Sequence, residues 1–212
     1  MAASASRNSP VEALKGRIAV IGWGSLIWDL DDLAPKVEGD WHMRVGPALP
    51  FEFSLISRKR KMGLAVCLDP ENGDTCPTHV IASRRADIHE AAEDLYLRER
   101  SPSVDYIGAF CAQSGFLRTR LPDVGEAVRD WCAATGAAGA VWTDHSSNYR
   151  DMRGEPFSIG AASAYLRGLA DESIEEAVRY IEFAPETTST PLRRALAAEP
   201  WWRRAAEVYA RR

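Results

Sequence analysis

The chain has 212 residues, 46% of them hydrophobic and 26% charged, the proportions of a globular protein long enough to bury an ordinary core. A formal charge of −4 and a pI near 5.6 give no support to nucleic-acid binding. No apolar stretch approaches the ~18 residues of a membrane span, and the first 16 residues lack a signal-peptide hydrophobic segment.

In chain order, residues 1–16 are rich in Ala and Ser and read as a disordered tail. Arg17 to Gly22 is a short, β-branched, glycine-bounded run that predicts a buried strand. A second strand is expected from Trp41 to Ser57, interrupted at Gly46-Pro47 and Pro50. A third spans Met62 to Leu68 and closes on the turn from Asp69 to Asp74; Thr78 to Ser83 is the fourth. Asp87 then predicts an N-cap with Glu90 completing a capping box, and Ile88, Ala91, Ala92 and Leu95 fall at helical spacing until Ser101-Pro102.

Val104 to Leu117 returns to strand character, Glu126 to Thr135 is helical up to Gly136, and Ala138 to Thr143 is a further strand. Ser158 to Gly168 and Glu172 to Phe183 read as amphipathic helices, and Thr190-Pro191 opens another that Trp201 and Trp202 pin down. Arg58 to Lys61 and Arg193-Arg194 read as solvated basic faces. The expectation is an α+β protein with a curved mixed sheet: a principal domain at 17–150 and a helical extension at 151–212.

Cys67, Cys76, Cys111 and Cys132 show no paired metal-type spacing and read as reduced thiols of a cytoplasmic protein. His42, His79, His89 and His145 lack ligand-like spacing, so no metal is expected.

The most informative segment is Ile18 to Asp29, an apolar run that breaks into Gly22-Trp23-Gly24-Ser25-Leu26. Glycine permits a left-handed backbone and close approach to a ligand, and serine adds a hydroxyl. A dinucleotide fingerprint needs a third glycine where Ile27 stands. A nucleophile elbow needs glycines where Trp23 and Ile27 stand, so Ser25 is a poor nucleophile. A second constellation, Arg98-Glu99-Arg100, ends the helix that begins after Asp87. Alone, Glu99 reads as a salt-bridge residue.

Together the two resemble the γ-glutamylcyclotransferases. Trp23-Gly24-Ser25-Leu26 is similar to the family's Tyr-Gly-Ser turn, and Gly22 to Trp28 is most like the glutathione-specific branch. Leu95 to Glu99 resembles the Leu-Asp-x-Arg-Glu segment that ends in the family's catalytic glutamate; Tyr106 follows at a similar spacing. Ala140 to Asp144 and Ser147-Asn148-Tyr149 are similar to the late strand and Asn-Tyr turn of that branch. The likeness covers about residues 17–150. Trp23 stands where the family has tyrosine, and Tyr96 where it has aspartate.

The resemblance implies a cyclotransferase fold and the conversion of a γ-glutamyl amide or peptide, glutathione included, to 5-oxoproline and a free amine. The α-amine of such a substrate lies within five-membered-ring reach of its γ-carbonyl, and intramolecular presentation supplies effective molarities of ~10⁵–10⁸ M. Glu99 is the implied general acid/base. Gly22, Trp23, Gly24, Ser25 and Leu26 would hold the substrate carboxylate or the oxyanion, with Tyr106 and Tyr149 as pocket lining. No cofactor is needed. The rival readings are a non-catalytic small-ligand-binding protein on the same fold, an amine-side specialist that removes a γ-glutamyl protecting group from a metabolite or modified amine by the same chemistry, and a hydrolase using Ser25 with His145. The amine released and the oligomeric state are left open.

Overall fold

A computed structural model describes residues 11–210, so most of the expected N-terminal tail lies outside the described residues. Within it, Glu12–Leu14 form a 3₁₀ turn with Leu14 buried, and the amide of Gly16 donates to the carbonyl of Gly136. The protein is mixed α+β with a curved mixed sheet. Its described residues divide into two compact units: 11–22 with Leu30–Pro47 and Thr78–Thr143, and Trp23–Asp29 with Ala48–Pro77 and 144–210.

The first unit carries strands β1 (Ile18–Gly22), β2 (Val37–His42), β6 (His79–Ser83), β7 (Ile107–Cys111), β8 (Leu117–Arg118) and β9 (Gly139–Thr143). They form one sheet in the order β2-β6-β1-β9-β7-β8. Only the β1–β9 pair is parallel; the other pairs are antiparallel. The near-continuous apolar run of β1, buried throughout, fits this central place. The expected strand over Val104 to Leu117 is instead a 3₁₀ turn at Val104–Tyr106 followed by a hairpin of β7 and β8. The amide of Cys111 donates to the carbonyl of Phe116, which folds the run back on itself.

Helix α1 (Ile88–Glu99) starts where Asp87 predicts: Oδ1 of Asp87 accepts from the amides of His89 and Glu90 at 2.8 and 3.0 Å. The carboxylate of Glu90 does not complete the box but faces Arg85 at 3.6 Å. Ile88, Ala91, Ala92 and Leu95 are buried, and α1 packs on β9 and β7. Helix α2 (Pro122–Thr135) begins earlier than expected, because Pro122 suits the first turn, and it stops at Gly136.

The second unit has a three-stranded sheet, β4-β3-β5, of β3 (Ala48–Ser57), β4 (Gly63–Leu68) and the short polar β5 (Asp74–Pro77). Strand β3 runs through Pro50 without a break. Its pairing with β4 starts only at Phe51, so the missing N–H of Pro50 costs no bond on that side. Five helices follow: α3 (Tyr149–Arg153), α4 (Ile159–Arg167), α5 (Asp171–Phe183), α6 (Pro191–Ala198) and α7 (Pro200–Tyr209). Ser158 and Thr190 cap α4 and α6. The last expected helix is two, because Pro200 holds Glu199 extended at φ −77°, ψ 123°. Trp202 is buried, and its indole N–H donates to Oε1 of Glu182 at 2.7 Å.

Buried polar groups tie this unit together. Oε1 of Glu52, fully buried, accepts from the Phe53 amide at 2.7 Å, and Oε2 accepts from the Leu192 amide in the first turn of α6 at 3.0 Å. A carboxylate at a helix N-terminus meets its positive end. Burial pushes the Glu52 carboxyl above its ordinary value, although the neighbouring hydrogen bonds oppose this. Ser54 Oγ donates to Asp69 at 2.6 Å, and Asp69 in turn accepts from the Asn72 amide at 3.0 Å, closing the expected turn.

Arg193 corrects the reading of a solvated face. Its guanidinium donates to the carbonyls of Glu182, Ala184, Pro185 and Thr188 at 2.7–3.2 Å, so it satisfies the open C-terminus of α5.

Candidate functional site

In the second unit, the Gly-Ser turn is a 3₁₀ segment, Gly24–Ile27, entered through an extended Trp23 at φ −155°, ψ 176°. No side chain caps it, and the first N–H groups of any helical turn have no partner within it. At the other end, the Ser25 carbonyl accepts from the amides of Trp28 and Asp29 at 3.3 and 3.0 Å. Gly24, Ser25 and Leu26 are buried.

Gly24 is required here on two counts. Its φ of +54° lies in the left-handed region, and a Cβ added to it would lie 2.8 Å from Cγ1 of Val66 and 2.9 Å from Oη of Tyr180. Trp23 is a core residue whose ring tilts against Phe51 at 4.6 Å between centroids. Trp28 is 45% exposed and meets Tyr180 edge-on.

Tyr149 also belongs to the second unit, at the start of α3. It is fully buried, with Phe157 and Tyr165 edge-on at 5.3 and 6.2 Å. Burial raises its phenol above the ordinary value. Asn148 just before it cross-links to β3: its side chain accepts from the Ile56 amide at 2.7 Å and donates to the Ile56 carbonyl at 3.1 Å. An open cavity of about 260 Å³ in this unit is lined by Asp69, Asn72, Ser147, Asn148, Arg150 and Phe157 among others.

The first unit holds Gly22, Glu99 and Tyr106. Gly22 ends β1 and pairs with His79 of β6. Glu99 is the last residue of α1, followed by Arg100 in the left-handed region at φ 52°. The inward stripe of α1 continues from Leu95 to Arg98, which is buried, and this places Glu99 at the stripe's edge with its side chain 18% exposed. Arg98 Nη1 donates to Glu99 Oε1 at 2.5 Å. Arg100 turns away to Asp31 at 3.2 Å. Tyr106 closes the 3₁₀ turn after α1, and Arg120 lies over its ring at 4.5 Å from the centroid.

The basic run after β3 is more than a solvated face. Arg58 is exposed, but Arg60 pairs with Glu176 at 2.9 Å and Lys61 with Glu172 at 3.0 Å, both on α5. Tyr180, Arg60 and Glu52 carried no sequence signal of their place. Tyr180 reads only as part of the α5 core stripe with Ala177 and Ile181.

All four cysteines are free, and burial pushes the thiols of Cys67 and Cys132 up to about 12. Among the described residues, no three His, Cys, Asp or Glu side chains group as a metal ion would need, and no helix is long and apolar enough to cross a membrane. No protein-family model, curated protein or solved structure matches the chain.

Proposed function

We propose that the protein is a γ-glutamylcyclotransferase-like enzyme. It would take a γ-glutamyl amide or peptide and close the α-amine onto the γ-carbonyl, releasing 5-oxoproline and a free amine. The observation that carries this reading is the Gly24–Ile27 turn: an uncapped first turn, buried, at a position where only glycine fits. Its amides and the Ser25 hydroxyl are donors suited to a carboxylate or a developing oxyanion.

In this mechanism the substrate supplies its own nucleophile. Glu99 takes a proton from the α-ammonium, which frees the amine to attack the γ-carbonyl, and returns that proton to the departing amine as the tetrahedral intermediate collapses. The ring nitrogen sheds its remaining extra proton to solvent. Positioned acid–base help of this kind contributes ~10²–10⁴-fold. Arg98, bonded to one carboxylate oxygen, holds the side chain in place and leaves the second oxygen for the substrate. Ser25 binds and does not attack.

The experiment is a mass-spectrometric screen for 5-oxoproline over glutathione, γ-glutamyl dipeptides and γ-glutamyl amines. Product from any of them supports the reading, and the substrate that gives it names the amine. One observation favours a second reading. The carboxylate of Glu99 already has an ion-pair partner, as it would in a non-catalytic protein that only binds a small anionic ligand. A ligand-dependent rise in melting temperature with no product would select that reading.

A further inference from the structure

Helix α5 lies outside the part of the chain that carries the cyclotransferase resemblance, yet it packs directly on the Gly-Ser turn. Two glycine approaches set its place. Gly63 of β4 meets Ala177, where a Cβ on the glycine would lie 3.1 Å from that of the alanine. One helical turn on, the hydroxyl of Tyr180 reaches the α-carbon face of Gly24. Residues 177 and 180 share a helix face, so one helix registers both the hairpin and the turn.

Tyr180 is itself held on several sides. Its ring meets Phe53 edge-on at 6.2 Å and 87°, and Trp28 at 6.2 Å and 62°. The Arg60 guanidinium lies over its face at 4.6 Å from the centroid, and the ion pair with Glu176, four residues earlier on α5, holds that arginine there. The result is a braced phenol whose oxygen lies against the one left-handed residue of the turn.

We propose that Tyr180 is a positioning residue of the Gly-Ser turn, its hydroxyl fixing the backbone at Gly24 and so the direction in which the turn amides point at substrate. This rests on the cyclotransferase reading. The physical ground is that an amide's direction follows the φ and ψ of the residue before it. Gly24 has no side chain to limit those angles, so the limit comes from its neighbours Val66 and Tyr180. It also gives the C-terminal helices a part in substrate binding.

The test is steady-state 5-oxoproline release from γ-glutamyl dipeptides, with melting temperatures, for the wild type, Tyr180→Phe and Tyr180→Leu. Tyr180→Phe keeps the ring and its contacts with Phe53, Trp28 and Arg60. The expected result is a melting temperature within ~5 °C of the wild type and a kcat/KM lower by ~10-fold or more. The loss falls in KM if the turn holds the substrate carboxylate, and in kcat if it holds the oxyanion. Tyr180→Leu loses more on both readouts.

Wild-type kcat/KM in Tyr180→Phe overturns the proposal and leaves the cyclotransferase reading standing. So does a loss that appears only in Tyr180→Leu alongside a large fall in melting temperature, which would make Tyr180 packing alone. No product from the wild type on any γ-glutamyl substrate overturns the cyclotransferase reading and this proposal with it.

Discussion

The hydroxyl oxygen of Tyr180 lies 2.9 Å from the point where a side chain at Gly24 would begin, and Cγ1 of Val66 lies 2.8 Å from the same point. Gly24→Ala therefore meets two penalties. The left-handed backbone costs an alanine about 1–2 kcal/mol, and forcing a methyl into filled space costs about 1–3 kcal/mol. Denaturant unfolding should show a loss of about 2–5 kcal/mol. A loss below about 1 kcal/mol would mean that the turn is not held as described.

Glu52 gives a pH-dependent prediction. Its carboxyl is raised by burial, so the folded protein holds this proton at a pH where the unfolded chain has released it. The contribution is fully present below the ordinary glutamate value of 4.5 and is lost as pH rises from there through the raised value. In Glu52→Gln this component is absent, so the stability of the wild type relative to the variant should fall as pH increases over that window. The amide also turns an N–H₂ toward one of the two backbone amides that Glu52 accepts from, at a cost of about 1–3 kcal/mol. Parallel melting curves for the two proteins across the window would contradict the shift.

Arg193 makes four hydrogen bonds to carbonyls at and beyond the end of α5. Arg193→Ala strands several of them and should cost at least about 2 kcal/mol. Arg193→Lys should recover little, because an ammonium cannot reproduce the planar fork. Full rescue by lysine would show that charge alone matters.

His79 carries the opposite pH sign in the first unit. Its Nδ1 accepts from the Arg44 amide at 2.9 Å, where Arg44 is left-handed at φ 62°. Burial and the Arg44 charge hold the imidazole below its ordinary value of 6.5. The unfolded chain therefore takes up the proton first as pH falls, and stability is lost below about 6.5. His79→Asn keeps an acceptor for the Arg44 amide and does not titrate. It should remove this part of the acid sensitivity in melting curves between pH 7 and pH 5; an unchanged acid profile would contradict the assignment.

Local signals were readable in the sequence wherever one element carried its own punctuation. The β1 run, the Asp87 and Thr190 caps, the Gly136 stop and the Asp69 turn all lie where residue chemistry places them. What escaped depends on partners distant in sequence. Strand β5 is short and polar and exists because β3 pairs with it, and Pro50 stays in β3 because β4 does not need its N–H. Arg193 looked solvated because nothing local shows the open end of α5 that it fills. At the turn, Gly24 was legible as a glycine with a purpose, but the tyrosine that enforces it stands 156 positions later and reads only as core.

The measurement that bears most directly on the proposed activity is 5-oxoproline release by the wild type and by Glu99→Gln, both verified as folded by melting temperature. Glutamine keeps the shape of the side chain and removes its capacity to take a proton. The expected result is product from at least one γ-glutamyl substrate, with turnover by Glu99→Gln lower by ~10²–10⁴-fold. Unchanged turnover in Glu99→Gln would contradict the assignment of Glu99 as the general acid/base.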